Sequence, residues 1–147
     1  MNTQAATYRQ HCSIAGFTLI ELMIAVAILA IIMGIAIPSY NQWVLEAGRA
    51  DAKTALFGAA QTLERCFTRY GAYDNGDCPL QQGDSEMSES DKYQLQVTTT
   101  TPTTFVLTAA PQPPQDKDTE CGNFTLTHAG QKGAKGGIDP AIVEECW

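Results

Sequence analysis

The chain has 147 residues, with nine Lys+Arg against 16 Asp+Glu, a length that suits one modest domain. Its net charge of −7 repels phosphate backbones and anionic lipid, so non-specific nucleic-acid binding starts at a disadvantage. Once an apolar N-terminal segment is set aside, the soluble remainder is too small for a large core and calls for staples.

Cysteines stand at Cys12, Cys66, Cys78, Cys121 and Cys146. Cys12 precedes the apolar run, in a segment that a processing enzyme would discard, which leaves an even four. Behind an export-like segment, four cysteines read as two disulfides in an oxidising compartment.

From Phe17 to Ile37 only Thr18 and Glu21 are clearly polar. At about 1.5 Å per residue this helix would measure roughly 31 Å, the thickness of a bilayer's hydrocarbon core. A secretory signal peptide is the plain alternative, with Gly34-Ile35-Ala36 as its cut site. The run is longer than an h-region, however, and only Arg9 charges the segment before it. An acid inside such a run costs roughly a few kcal/mol and calls for a positive partner. No Lys or Arg lies between Arg9 and Arg49. A cut between Gly16 and Phe17 would create that partner, an ammonium on Phe17 one turn from Glu21, in the same chain or in a neighbouring copy.

The stretch Gly16-Phe17-Thr18-Leu19-Ile20-Glu21-Leu22 resembles the class III signal of type IV pilins and pseudopilins. The resemblance implies that a membrane-embedded prepilin peptidase cleaves after Gly16 and N-methylates Phe17. It implies that Glu21 pairs with the terminal amine of an adjacent subunit during filament assembly. Gly34 and Pro38 fall where the family weakens its helix, which implies a hinge. Ile14-Ala15 depart from the family habit of Lys or Arg before the glycine, a departure that bears on processing efficiency. The implied fold is α+β: the type IV pilin fold, a long kinked N-terminal helix on a small antiparallel β-sheet, with a disulfide-bonded C-terminal D-region. Residues 1–16 would be the leader, 17–38 the membrane anchor and filament core, and 39–147 the head.

After Pro38 a helical period continues to about residue 70. Leu45, Ala52, Leu56, Ala59, Ala60, Leu63, Phe67 and Tyr70 fall on one side, and Ala47, Asp51, Thr54, Gly58, Gln61, Arg65 and Arg69 on the other. One stripe of this helix is expected to lie on a sheet. Pro38 predicts a kink or gap, and Gly48 and Gly58 read equally well as tolerated imperfections.

Residues 71–91 read as a loop, rich in Gly, Asn, Pro, Ser and acid. The acidic run 84–91 lacks the spacing of a calcium loop. Strands follow over 92–128: Tyr93–Val97 alternates cleanly, Thr103–Thr108 is β-branched and aromatic, and Gly122–His128 supplies a third. The Pro-rich segment 111–118 interrupts them, and the glycines from Gly130 to Gly137 predict a long turn before the tail. Four cysteines allow three pairings; Cys66–Cys78 with Cys121–Cys146 is preferred because both close short irregular loops. The pattern Cys121-Gly-Asn-Phe-Thr-Leu-Thr, then Gly130-Gln-Lys-Gly, then Cys146-Trp147, resembles the PilE-like minor pilins. There the C-terminal cysteine pair frames an exposed D-region, here 121–147.

Neither catalysis nor a cofactor is expected. His128 is the one imidazole left if His11 is lost with the leader, no Cys-x-x-Cys occurs, and there is no phosphate loop. The expected role is a structural subunit of a type IV pilus, most readily a minor pilin of the PilE-like kind, inserted in the inner membrane with its head in the periplasm and then assembled into the extracellular filament. Its partners would be other pilin subunits, the prepilin peptidase and the assembly platform. Adhesion, twitching motility and DNA uptake are the roles such a filament serves. The alternatives are a DNA-receptor pilin, with Lys132 and Lys135 as candidate contacts beside Arg65 and Arg69, a major pilin, or a type II secretion pseudopilin.

Overall fold

The computed structural model describes residues 16–147; the leader residues discussed above, Arg9, His11, Cys12 and the Ile14-Ala15 pair, fall outside them. Helix α1 runs Leu19–Tyr70 with Pro38 inside it; the helix is not interrupted there, although Pro38 has no N–H to donate one turn back. Thr18 caps the start. Its hydroxyl accepts from the Glu21 N–H at 3.3 Å, and the Glu21 carboxylate accepts from the Thr18 N–H at 3.4 Å. This is a capping box, two first-turn donors satisfied reciprocally. The chain divides into two units, residues 1–39 and 40–147. In the first, the described apolar side chains from Phe17 to Ile37 are exposed, Phe17 by 88%, and α1 is long and apolar enough to cross a membrane.

The second unit is the head. Strands β1 (Ser85–Met87), β2 (Tyr93–Thr100), β3 (Phe105–Pro111), β4 (Phe124–Thr127) and β5 (Lys132–Ala134) form one antiparallel sheet in sequence order. Each connection joins neighbours, so the sheet is a meander. The β2 side chains Tyr93, Leu95 and Val97 alternate inward, as do Phe105, Leu107 and Ala109 of β3. A register shift between Val97 and Thr99 then leaves Thr98 and Thr99 both exposed, the effect of a bulge on alternation.

On the sheet's inner face lies the stripe Ala52, Leu56, Ala59, Leu63 and Cys66. Full burial of Leu56 and Leu63 is worth about 1.5–3 kcal/mol each. The expected helical stripe therefore holds in its centre, with two corrections. Tyr70 is 37% exposed, because the helix ends there beyond the sheet. Gly48 is buried, and its reading as an imperfection fails: a Cβ there would lie 2.8 Å from the Gln115 Nε2. The missing side chain makes room for the Gln115 carboxamide, which donates to the Leu45 carbonyl at 2.9 Å.

Three further expectations change. The loop 71–91 contains β1, which adds an outer strand to β2. The turn expected over 130–137 contains β5. There Gly133 is required, since a Cβ would come within 2.7 Å of the Gly137 carbonyl. The tail carries a second helix, α2 (Pro140–Cys146), capped by the Asp139 carboxylate on the Ala141 N–H. The Pro-rich segment 111–118 is also more than a break: it holds a 3-10 turn, Gln115–Lys117, that delivers Gln115 and Asp118 into the interior.

Asp118 is the buried acid of the head. Arg49 clasps it with two donors, at 2.6 and 2.8 Å, and reaches Glu120 at 3.0 Å; the Cys121 N–H donates to Asp118 at 3.2 Å. Burial alone would raise the Asp118 carboxyl, but the hydrogen bonds from Arg49 and Cys121 outweigh it and hold it below 3.8. Disulfides join Cys66 to Cys78 and Cys121 to Cys146, with Cα atoms 5.7 and 5.6 Å apart. The first ties the loop to the end of α1, and the second ties α2 to the start of β4.

The head should respond to pH at both ends. A depressed Asp118 contributes stability that is present above 3.8 and lost as pH falls through its folded value. Asp118→Asn is expected to cost on the order of 3 kcal/mol at neutral pH and to flatten the acid limb of a denaturation series; an unaltered limb would count against the clasp. Burial pushes the Tyr93 phenol from 10.0 up to about 12. Its contribution is therefore complete below 10.0 and fades as pH rises toward the folded value. Thermal melts from pH 9 to 12 should show the loss, and Tyr93→Phe should diminish it.

Candidate functional site

Two regions of the chain carry candidate functional residues. At the N-terminal end, Gly16 and Phe17 precede the capped turn in open, exposed backbone. The capping box takes one Glu21 oxygen, Oε2, from both the Thr18 N–H and the Thr18 hydroxyl. Among the described residues the other oxygen, Oε1, takes part in none of these contacts. The sequence reading assigned Glu21 its charge but not its capping duty, although the Thr-x-x-Glu spacing is itself a signal for a helix start. Gly34 and Pro38 lie within α1, and among the described residues nothing outside the helix's own backbone crowds the side of Gly34.

The other region is on the head, around β5. Lys132 and Lys135 are exposed. Lys132 Nζ stands 5.1 Å from the Trp147 ring centre and 6.0 Å from that of Phe57, in reach of cation–π attraction. Trp147 is fixed from three sides. Its indole N–H donates to the Gly133 carbonyl at 2.9 Å, its ring meets Phe57 and Phe124 edge-on, and its main-chain oxygen accepts from Lys53 at 3.1 Å. Burial first, and then the charges of Arg49 and Lys132, lower the Lys53 ammonium below its ordinary 10.5. Lys135 takes a positive φ of 53° and spends its N–H on the Cys121 and Asn123 carbonyls. Both lysines thus ride on a braced surface that also presents an aromatic ring.

Arg65 and Arg69 lie elsewhere on the head. They line a hollow of about 260 Å³ beside Asp77 and Pro79. Arg65 donates to the Thr62 hydroxyl, and the Arg69 guanidinium covers the Tyr70 ring at 5.3 Å. The sequence grouped them with the lysines by charge alone. It missed Lys53, Phe57 and Trp147 as neighbours of Lys132, for nothing in linear spacing announces that the tail returns to the middle of α1.

Comparison with known proteins finds matches over both the apolar N-terminal segment and the head. The prokaryotic N-terminal methylation motif matches residues 13–37. The family described as type IV minor pilin ComP, DNA uptake sequence receptor, matches residues 38–125, more than half of the chain. Among relatives, prepilin peptidase-dependent protein D of Escherichia coli (strain K12) is 36% identical over 62 residues, 42% of each chain. Type IV major pilin protein PilA of Myxococcus xanthus (strain DK1622) is 41% identical over 63 residues, 41% of this chain and 29% of that one. The chain thus spans less than half the length of these curated relatives. Among solved structures, the non-core minor pilin PilV of Neisseria meningitidis has a TM-score of 0.49 at 22% identity, covering 65% of this chain and 90% of that one. A type IV pilin from Shewanella oneidensis has a TM-score of 0.45 at 26% identity, covering 70% and 97%. With a methylation motif ahead of a helix-and-meander head, and a family match across most of that head, the chain belongs to the ComP family of type IV minor pilins.

Proposed function

We propose that this protein is a minor pilin whose head binds DNA. In this reading the prepilin peptidase cleaves after Gly16 and methylates the Phe17 amine. Residues 17–38 hold the subunit in the inner membrane with its head in the periplasm. The assembly platform then adds it to a filament of other pilin subunits. Glu21 keeps its cap and offers its second oxygen to a neighbour's amine, and the Gly34–Pro38 segment gives as subunits pack. The role is that of a building and binding subunit, with no catalytic step.

The observation that carries the DNA reading is the family match over residues 38–125. The match stops short of Lys132 and Lys135, so these lysines rest on their own geometry: the Lys132 ammonium beside a braced indole and a second exposed lysine three residues on, a combination suited to phosphate with a flat face alongside. Net charge opposes binding, which restricts it to such a patch and makes it sensitive to salt.

Two experiments test this reading. Gel shifts of the full chain in detergent, over a salt series, should retard duplex DNA at low salt. Lys132→Ala/Lys135→Ala should weaken binding and reduce the log–log salt slope by about 2. No retardation at low salt would remove the DNA role and leave the pilin role standing. Charge and cap at Glu21 can be separated as well. Glu21→Gln retains capping geometry and should abolish incorporation into sheared pili, while Thr18→Val, which costs about 1 kcal/mol of cap, should reduce it only modestly. Normal incorporation of Glu21→Gln would contradict the charge pairing.

A further inference from the structure

One hollow of the head is unlike the rest. It measures about 390 Å³ and is lined by Tyr40, Val44 and Leu45 of α1 on one side and by Pro114, Gln115 and Lys117 of the 3-10 segment on the other. Its walls are mainly apolar, and Lys117 is exposed on its rim. Beside it, Tyr40 and Trp43 are 63% and 62% exposed, with ring centres 6.2 Å apart. Lys92 donates to the Val44 carbonyl at 3.3 Å, which adds a second cation to this end of α1. The acids Glu46 and Asp116 are exposed in the same segments, so the local charge is mixed. Asp118 behind it is neutralised by Arg49.

Its place in the chain tells what could fill it. The apolar run ends at Ile37, and Tyr40 and Trp43 follow three and six residues later in the same helix. At about 1.5 Å per residue, Tyr40 lies within about 5 Å and Trp43 within about 9 Å of the end of the run, whatever angle the chain takes at Pro38. The headgroup layer outside a bilayer's hydrocarbon is on the order of 5–8 Å deep. Tyr and Trp collect in that layer, where a ring can bury its body and wet its polar edge. Leu45, the innermost wall residue on α1, is eight residues from Ile37, still within about 12 Å.

We propose that this hollow is a lipid site: it takes the glycerol and acyl-ester end of an anionic phospholipid from the bilayer that holds the anchor, with Lys117 on the phosphate. The Tyr40–Trp43 pair sits in the headgroup layer and sets the depth of the helix. Gln115 has no donor to spare for a phosphate, since its NH2 already donates to the Leu45 carbonyl and the Tyr93 hydroxyl. It holds the two walls at their spacing instead. Lipid in the hollow would keep the subunit seated until it leaves the membrane for a filament. The inference rests on the membrane-anchor reading and is independent of DNA binding.

The test uses the full chain in vesicles of three parts phosphatidylethanolamine to one part phosphatidylglycerol, the latter carrying a diazirine near the glycerol. Flotation reports insertion, and mass spectrometry of photo-adducts reports the hollow. Adducts on both the 40–45 and the 114–117 peptides are expected. Lys117→Gln should reduce those on the second peptide by about fivefold, one lysine's share of attraction to an anionic surface. In Trp147→Phe, which leaves Trp43 as the single tryptophan, lipids brominated near the carbonyls should quench emission more than lipids brominated deep in the chain. A chain that floats but gives no adduct at 114–117 overturns the lipid site alone. Cross-links from the hollow to a second copy in place of lipid also overturn it, in favour of subunit docking. A chain that does not float overturns the membrane anchor with it.

Discussion

Burial of one stripe of α1 beneath the meander is the interaction on which the head depends. Ala52, Leu56, Ala59 and Leu63 supply small and large side chains in alternation, so the helix can approach a sheet whose inner face carries Tyr93, Phe105, Leu107 and Phe124. A head of this size buries little surface per residue, and that stripe leaves the periphery weakly held. The rest of the architecture addresses this. Two disulfides fasten the loop and the tail, and the Arg49–Asp118 clasp fastens the 3-10 segment. Gln115 fills the notch that Gly48 opens. Trp147, caught between Phe57, Phe124 and Lys132, closes the tail over the middle of the same helix.

The same helix answers an opposite requirement in its first half. Between Phe17 and Ile37 its large apolar side chains are exposed, which water does not tolerate over such a length. A bilayer or a bundle of identical helices does. In the proposed role one continuous element would serve two environments in turn, and its polar features mark the ends of the apolar stretch. Thr18 and Glu21 cap the beginning, and the Tyr40–Trp43 pair stands at the exit. In the proposed role Glu21 would serve two duties, since the cap engages its Oε2 and a neighbour's amine would take the other oxygen.

Much of this was legible in the residues. Period 3.6 placed the buried stripe, and strict alternation at Tyr93–Val97 placed β2. The motif around Gly16 announced the family, which the matches to its methylation motif and head bear out. Where reading failed, the cause was physical. β1 and β5 are three residues long, too short for any period, and they exist because a neighbouring strand offers unpaired hydrogen-bonding groups. Gly48 looked like a weak helical residue because its reason, the Gln115 side chain, lies 67 positions away. Asp118 sat in a Pro-rich polar stretch that any composition rule assigns to solvent, and only the arrival of Arg49 makes its burial affordable. The Lys132–Trp147 surface was half seen: the lysines stood out by charge, whereas their aromatic neighbours are brought by the fold.

The central claim is that the apolar helix is an assembly element released by a cut after Gly16. Mass spectrometry of the mature chain from membrane and sheared-pilus fractions tests it most directly. The account predicts a first residue of N-methylated Phe17 in both fractions. A chain that begins after Ala36, or one that retains residues 1–16 in the filament, would contradict it.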